Sequence, residues 1–321
     1  MQFGKKQSII VSENDEIEKK GELMDRLRER LISAGVRLKN EYPLSRHSSF
    51  RIGGRASLAL FPETEEQMLT ALCLLTDATV PFLVLGNASN VVFDDADFEG
   101  AVLFTTAVKG MRLYENRMTV SAGTSLTAIA VAARDAGLSG AEFAYGIPAS
   151  LGGAVYMNAG AFGGCMADIC QNSTAFDLVR REVVTFRGVE QCFGYRTSIY
   201  EKSDRYAILG AELLFRRGQT AEIDERMNDY LARRRRTQPL EYPSAGSVFK
   251  RPEGHFAGKL IEDCGLKGVT VGGAQVSEKH AGFIVNRGGA TAADVRRLVE
   301  LIHDRVLCET GVDLECEIKF L

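Results

Sequence analysis

The chain has no tryptophan and only four histidines, and its seven cysteines include no C-x-x-C pair. His47, His255, His280 and His303 share no H-x-x-x-H spacing, so no metal site is expected. The thiols at 73, 165, 170, 192, 264, 308 and 316 are scattered and odd in number, which fits a reducing compartment rather than a disulfide framework. The lack of tryptophan by itself decides nothing. No G-x-G-x-x-G opens a strand–turn–helix unit and no P-loop is present, so neither a Rossmann nor a Walker site is supported. A nucleophile elbow is missing too. No uncharged apolar run reaches membrane-spanning length, and the opening MQFGKKQSIIVSENDE lacks the apolar centre of a signal peptide. A cytoplasmic protein that acts at no membrane is expected. With 39 Lys and Arg against 42 Asp and Glu, the net charge of −3 gives no reason to expect a nucleic-acid partner.

What the chain does have is glycine in one unusual place. Residues 140–164, GAEFAYGIPASLGGAVYMNAGAFGG, hold seven glycines and one proline among apolar residues, with Glu142 the one charge. Such a segment is too rich in glycine for a helix and too apolar for a loose linker. Glycine there permits positive φ and lets a ligand approach bare backbone, whose free N–H groups suit a phosphate or a flat polar ring. The segment reads as a cofactor cradle; a packed turn between buried strands is the alternative.

At 321 residues, 45% of them hydrophobic, the chain is long enough for two or three domains. Leu23, Leu27 and Leu31 recur every four residues, predicting a helix over 13–34 that also carries Ile17. Thr64 and Gln67 form a capping-box pattern for a helix through Leu75. Pro81 opens a short buried strand, PFLVLG, that ends in the small-residue loop Gly86–Asn90. Strands are expected at 102–104 and 118–120. A helix capped by Thr124 and closed by Gly137 follows, then short strands through 172–216. Composition shifts near 217–220, where the domain boundary is placed. Ala221–Arg236 reads as a charged helix stopped at Gln238-Pro239. Thr291 caps a helix with Val295, Leu298, Ile302 and Val306 on one face. In DLECEIKFL the apolar residues alternate with Asp313, Glu315, Glu317 and Lys319.

Three polar residues stand out. Arg196, in FGYRTSIY, is suited to a carboxylate or a ring, or is a plain surface arginine. Ser247, in SAGSVFK, is a reactive hydroxyl or a turn residue. Glu317 sits on the polar face of the terminal strand, where a solvated charge is the ordinary reading. The basic run Arg233–Arg236 is either an anion site or a solvated helix end favoured by the dipole.

Eight segments in order carry a resemblance that covers the chain from about Tyr42 to the end. They are SSFRIGGRA, GNASN, GIPASLGGAVYMNAGAFGG, FGYRTSIY, QPLEYPSAGSVFKRP, AGKLIEDCGLKG, GGAQVSEKHAGFIVN and LECEIKF. Together they resemble the UDP-N-acetylenolpyruvoylglucosamine reductase family, flavoenzymes of peptidoglycan precursor synthesis. The resemblance implies an α+β fold: an FAD-binding region of the vanillyl-alcohol-oxidase (PCMH) type with two α+β subdomains, and a C-terminal α+β substrate-binding domain. The divisions it suggests are 1–217 for the FAD-binding region (PCMH-type from about 45), 218–310 for the substrate domain, and 311–321 for a terminal strand that brings Glu317 to the active site.

By the same resemblance FAD is held without a covalent bond and NADPH is the hydride donor. The FAD pyrophosphate would lie on Gly86, Asn87, Ala88, Ser89 and Asn90. The run that includes Gly146, Ile147, Pro148, Gly152, Gly153, Ala154, Asn158 and Gly160 would approach the isoalloxazine ring and ribityl chain. Arg51, Gly53 and Gly54 would help hold the cofactor. Hydride from flavin N5 would reach the vinyl carbon of UDP-N-acetylglucosamine enolpyruvate, a small-molecule substrate. Arg196 would hold its carboxylate, Glu317 would steady the enol form, and Ser247 would supply the proton that completes UDP-N-acetylmuramate. Lys250, Lys267 and Arg233 are candidates for substrate contacts. The protein is expected to be a monomer. Ala88 stands where many members carry glycine, and Ala149-Ser150-Leu151 replaces the common Gly-Thr-Val, so a slightly different loop is expected. No long insertion lies between Tyr200 and Arg233, as in the shorter, second branch of the family.

Overall fold

The computed structural model describes residues 13–321. The stretch before residue 13, which bears most of the reading on a signal peptide, lies outside the described residues. In the first lobe, α1 (Glu13–Ser33) precedes β1 (Arg37–Pro43) and β2 (Arg55–Phe61). Then come α2 (Glu65–Ala78), β3 (Phe82–Leu85), β4 (Val91–Val92) and β5 (Phe98–Phe104). The sheet runs β1-β2-β5-β3, antiparallel at β1·β2 and parallel elsewhere. Leu27 and Leu31 share a core with Leu72 and Leu75 of α2, while Leu23 is exposed. Thr64 Oγ accepts from Gln67 N at 3.2 Å, but the Gln67 side chain accepts from Glu63 N rather than closing the box on Thr64. The helix runs three residues past Leu75 and stops at Thr79, in the left-handed region at φ 51°. Strand β3 corrects the expectation of a buried strand. It lies at the sheet edge and all four residues are half-buried.

The second lobe comprises β6 (Met111–Tyr114), β7 (Arg117–Ser121), α3 (Leu126–Asp135), β8 (Leu138–Ser139) and α4 (Leu151–Tyr156). It continues through β9 (Gly160–Ala161), β10 (Gly164–Cys165), β11 (Cys170–Asp177), β12 (Glu182–Arg187), β13 (Tyr206–Leu214) and β14 (Arg216–Arg217). Its main sheet is antiparallel, ordered β12-β11-β13-β7-β6. The cap of α3 is Ser125, whose Oγ accepts from Ala128 N, not Thr124. Thr124 is occupied instead with the backbone of Gly110 at 3.2 Å. Helix α5 (Thr220–Thr237) begins past the expected boundary, yet it sends Ile223 and Met227 into this lobe's core.

The third lobe has α6 (Ala257–Asp263), the small sheet β15 (Thr270–Val271), β16 (Ala274–Val276), β17 (Ile284–Asn286), and α7 (Ala292–Thr310). Thr291 and Asp294 close a full capping box, and Val295, Leu298, Ile302 and Val306 are buried as the spacing predicts. The chain then returns to the first lobe. Its last strand, β18 (Lys319–Phe320), pairs in parallel with β4. Asp95 caps α7 from outside, accepting from Ala292 N and Ala293 N at 2.8 and 3.1 Å. This return sets the C-terminal residues beside the Gly86–Asn90 loop. Among the described residues, no helix is long and apolar enough to cross a membrane.

Candidate active site

The glycine segment departs from its reading in one respect. Residues 151–156 are helical, with Leu151, Ala154 and Val155 buried. The glycines there allow close packing, since a Cβ at Gly152 would stand 3.3 Å from the Ala122 Cβ. Around this short helix the segment is folded against the Gly86–Asn90 loop. Asn87 Nδ2 donates to Pro148 O at 3.3 Å. A Cβ at Gly86 would lie 2.0 Å from Ser150 Oγ, so nothing larger than glycine fits there unless the serine moves. Ala88 is buried and takes the left-handed conformation at φ 47°, the geometry that glycine adopts without cost.

This corner has the features that a diphosphate and a flat ring require. Among the described residues, no backbone or side-chain acceptor takes the N–H groups of residues 87–90. Ser150 Oγ is buried with no hydrogen-bond partner. Buried polar groups are nearly always satisfied, so an orphan hydroxyl beside bare N–H groups marks a place for a ligand's acceptor atoms. The half-buried apolar strand β3 leads into this loop, and Gly146 and Ile147 are half-buried beside the exposed Pro148. The residues present thus fit FAD.

Arg51, Gly53 and Gly54 have a structural account of their own. Arg51 is exposed at φ 58°. A Cβ at Gly53 would come within 2.6 Å of Phe93 Cβ, and one at Gly54 within 2.4 Å of Ala96 O, so the loop crosses the 93–96 backbone at close range. Asn158 is buried at φ 47°, and both ends of its amide are bonded. Nδ2 donates to Gly194 O at 2.8 Å and Oδ1 accepts from Ala167 N at 2.9 Å. It ties the end of α4 to the turn that presents Arg196.

Arg196 sits in that turn at φ 56°. Its Nε donates to Glu317 Oε1 at 2.8 Å and its Nη2 to Gly160 O at 3.1 Å. Glu317 is only 8% exposed, against the alternation that set it on a solvated face. The returning chain explains the burial. Glu317 N donates to Val248 O at 2.7 Å, and Asn90 Nδ2 donates to Glu317 O at 3.2 Å. Burial raises the Glu317 pKa, and the charges of Arg196 and Lys250 oppose that rise without cancelling it. Ser247 immediately precedes Val248 and is exposed, bridged to Phe283 through backbone. Its hydroxyl makes no hydrogen bond with a described residue. The structure therefore gathers Arg196, Glu317, Gly160, Asn90 and the segment that carries Ser247 and Val248 from all three lobes.

Lys250 belongs to this group by its charge on Glu317, and it pairs with Glu315. Lys267 does not, since it pairs with Glu262 of α6 at 2.8 Å. Arg233 is exposed and pairs with Asp229 one turn back on α5. The member of the basic run that turns inward is Arg234, buried at 8% exposure. The helix phase set by Ile223 and Met227 falls on 234 rather than 233, a signal present in the sequence. The one charge in the glycine segment, Glu142, is buried too. Its Oε1 accepts from Ser139 Oγ and from Arg226 of α5 at 2.7 and 2.8 Å.

The fold and this corner define a flavoprotein, and comparison agrees: residues 56–184 match the family of FAD binding domains. Residues 238–321 match the C-terminal domain of UDP-N-acetylenolpyruvoylglucosamine reductase. The reductase of Clostridioides difficile (strain 630) is 43% identical over 285 residues, 88% of this chain and 93% of the relative. That of Caldicellulosiruptor bescii is 41% identical over 293 residues, covering 91% and 93% of the two chains. The crystal structure of the Thermus caldophilus reductase superposes with a TM-score of 0.75 at 34% identity, over 89% of this chain and 99% of that one. The chain belongs to the UDP-N-acetylenolpyruvoylglucosamine reductase family. The α+β class and the FAD-binding part with a C-terminal α+β domain are as the resemblance implied.

Proposed function

We propose that this protein is an NADPH-dependent oxidoreductase that reduces UDP-N-acetylglucosamine enolpyruvate to UDP-N-acetylmuramate, a step in peptidoglycan precursor synthesis. The observation that carries the reading is the pair of half-buried Arg196 with buried Glu317, joined to Gly160 of the glycine segment. FAD would be held by the Gly86–Asn90 loop and Ser150, and would supply hydride transfer from NADPH to the substrate's double bond. Hydride addition at the CH2 terminus leaves negative charge on the neighbouring carbon and its carboxylate, and the residues of this chain act on that charge. Arg196 is a permanent cation with a forked donor set, suited to hold the carboxylate. Glu317 is kept partly desolvated, so its carboxyl has a raised proton affinity and steadies the enol form by hydrogen bonding. Ser247 Oγ–H, next to Val248 whose carbonyl accepts from Glu317 N, delivers the proton to the carbon. Asn158 and Gly160 orient Arg196, and Lys250 adds positive charge.

The cofactor and substrate parts divide around α5, with residues 311–321 returning Glu317 to the cofactor side. The protein works as a monomer in the cytoplasm on these small molecules. In Ser247→Ala, NADPH still bleaches the flavin while enolpyruvate reduction falls by several powers of ten, on the order of 3–6 kcal/mol. Turnover close to the wild-type rate refutes the role given to Ser247.

A further inference from the structure

The turn that presents Arg196 and the chain's last segment are joined twice. The first link is the Arg196–Glu317 hydrogen bond. The second joins the same two stretches: Lys319 Nζ, two residues past Glu317, donates to Glu201 Oε1 at 2.5 Å. The other oxygen of Glu201, Oε2, accepts from Thr197 Oγ1 at 3.1 Å, and Thr197 directly follows Arg196. One carboxylate thus ties the turn to the terminal segment with both of its oxygens. The Glu201 and Lys319 side chains are 20% and 45% exposed, so water screens this pair less than one standing free on the surface.

Both sides of this junction need holding. Arg196 takes φ 56°, a conformation that a residue other than glycine keeps only when its surroundings impose it. Gly194 and Thr197 close the turn by backbone hydrogen bonds of 3.1 and 3.4 Å. Ser198 Oγ then donates to Tyr156 O, at the end of α4, at 2.6 Å. The terminal segment is gripped by Asn90, whose Nδ2 donates to Glu317 O at 3.2 Å and whose carbonyl accepts from Lys319 N at 3.0 Å. The charges that act on the Glu317 carboxyl, against its burial, are those of Arg196 and Lys250. Lys319 therefore bears on Glu317 through position rather than through its field.

We propose that Glu201 is a positioning residue: through Thr197 and Lys319 it keeps the Arg196 turn in register with Glu317 while the two act on the substrate. This rests on the function proposed above, in which Arg196 holds the substrate's carboxylate. An arginine that gives donors to a ligand holds Glu317 less firmly, and the Glu201–Lys319 link keeps the turn and the segment aligned. Such alignment adds little to stability and much to rate, because a small displacement of a group that acts in the transition state costs a large factor. The test uses Glu201→Ala, Lys319→Met and the double variant as FAD holoenzymes. Anaerobic rapid mixing times the bleaching of the flavin by NADPH and its reoxidation by the enolpyruvate, and the melting temperature is taken alongside.

Each single variant slows reoxidation by roughly tenfold to a hundredfold, while bleaching and melting temperature stay near those of the wild type. The double variant is no slower than the slower single one, since both substitutions break the same link. Unchanged reoxidation in either single variant overturns the proposal, and so do losses that multiply in the double variant. Equal slowing of both half-reactions with a lowered melting temperature overturns it too, because the pair is then only structural. Wild-type flavin that NADPH bleaches and the enolpyruvate fails to reoxidise refutes the proposed function itself, a result distinct from any of these.

Discussion

Arg196 and Glu317 lie 121 residues apart in sequence and meet through one hydrogen bond of 2.8 Å, Nε–H to Oε1. The bond joins the second lobe to the chain's last segment. Glu317→Gln keeps an acceptor for Arg196 and removes the proton that a carboxyl donates. We expect the variant to stay folded and yellow and to be bleached by NADPH at the wild-type rate. Enolpyruvate reduction falls roughly a hundredfold or more, about 3 kcal/mol. Rapid-mixing measurement of the two half-reactions checks this, and equal slowing of both contradicts it.

The Gly86–Ser150 contact yields a paired prediction. Gly86→Ala places a methyl group where Ser150 Oγ stands, so the loop must shift and FAD affinity drops. Ser150→Ala removes that oxygen and leaves the Ser150 Cβ, 3.2 Å from the added methyl. The double variant therefore regains FAD relative to Gly86→Ala alone. Flavin content after gel filtration measures it. No recovery means that the methyl clashes elsewhere, or that the lost Ser150 hydroxyl costs FAD as much as the relieved contact returns.

A pH dependence follows from His47, which stacks on Phe104 with ring centres 3.7 Å apart. Burial lowers its pKa below 6.5, more than a backbone hydrogen bond at Gly86 raises it. The unfolded chain therefore binds the proton more readily, and this contribution to stability is lost as pH falls from 6.5 through the folded pKa. His280 behaves alike, while His303, raised by Asp304 and Asp313, acts in the opposite sense as pH rises. The melting temperature is expected to fall on mild acidification, and His47→Phe is expected to shrink that fall. An unchanged difference between neutral and mildly acidic melts counts against His47.

Local rules carried much of the fold. The Thr291–Asp294 box and the stripe Val295, Leu298, Ile302 and Val306 are settled within one helix, so spacing alone finds them. Ser125 displaces Thr124 as a cap because Gly110, in a neighbouring loop, engages the threonine. The helix at 151–156 needs Ala122 beside its glycines, a contact that no local pattern encodes. Glu317 obeys the alternation of its strand in sequence and breaks it in space, because the chain returns against Asn90 and Arg196. Arg234 lies in a run of four arginines, where charge density marks the cluster and helix phase alone distinguishes its inward member.

The most direct measurement follows NADPH absorbance in the presence of the purified protein, with and without UDP-N-acetylglucosamine enolpyruvate. The protein is expected to be yellow with FAD and to consume NADPH in step with UDP-N-acetylmuramate formed, only when the enolpyruvate is present. A colourless protein that takes up no added FAD, or NADPH consumption indifferent to the enolpyruvate, contradicts the account.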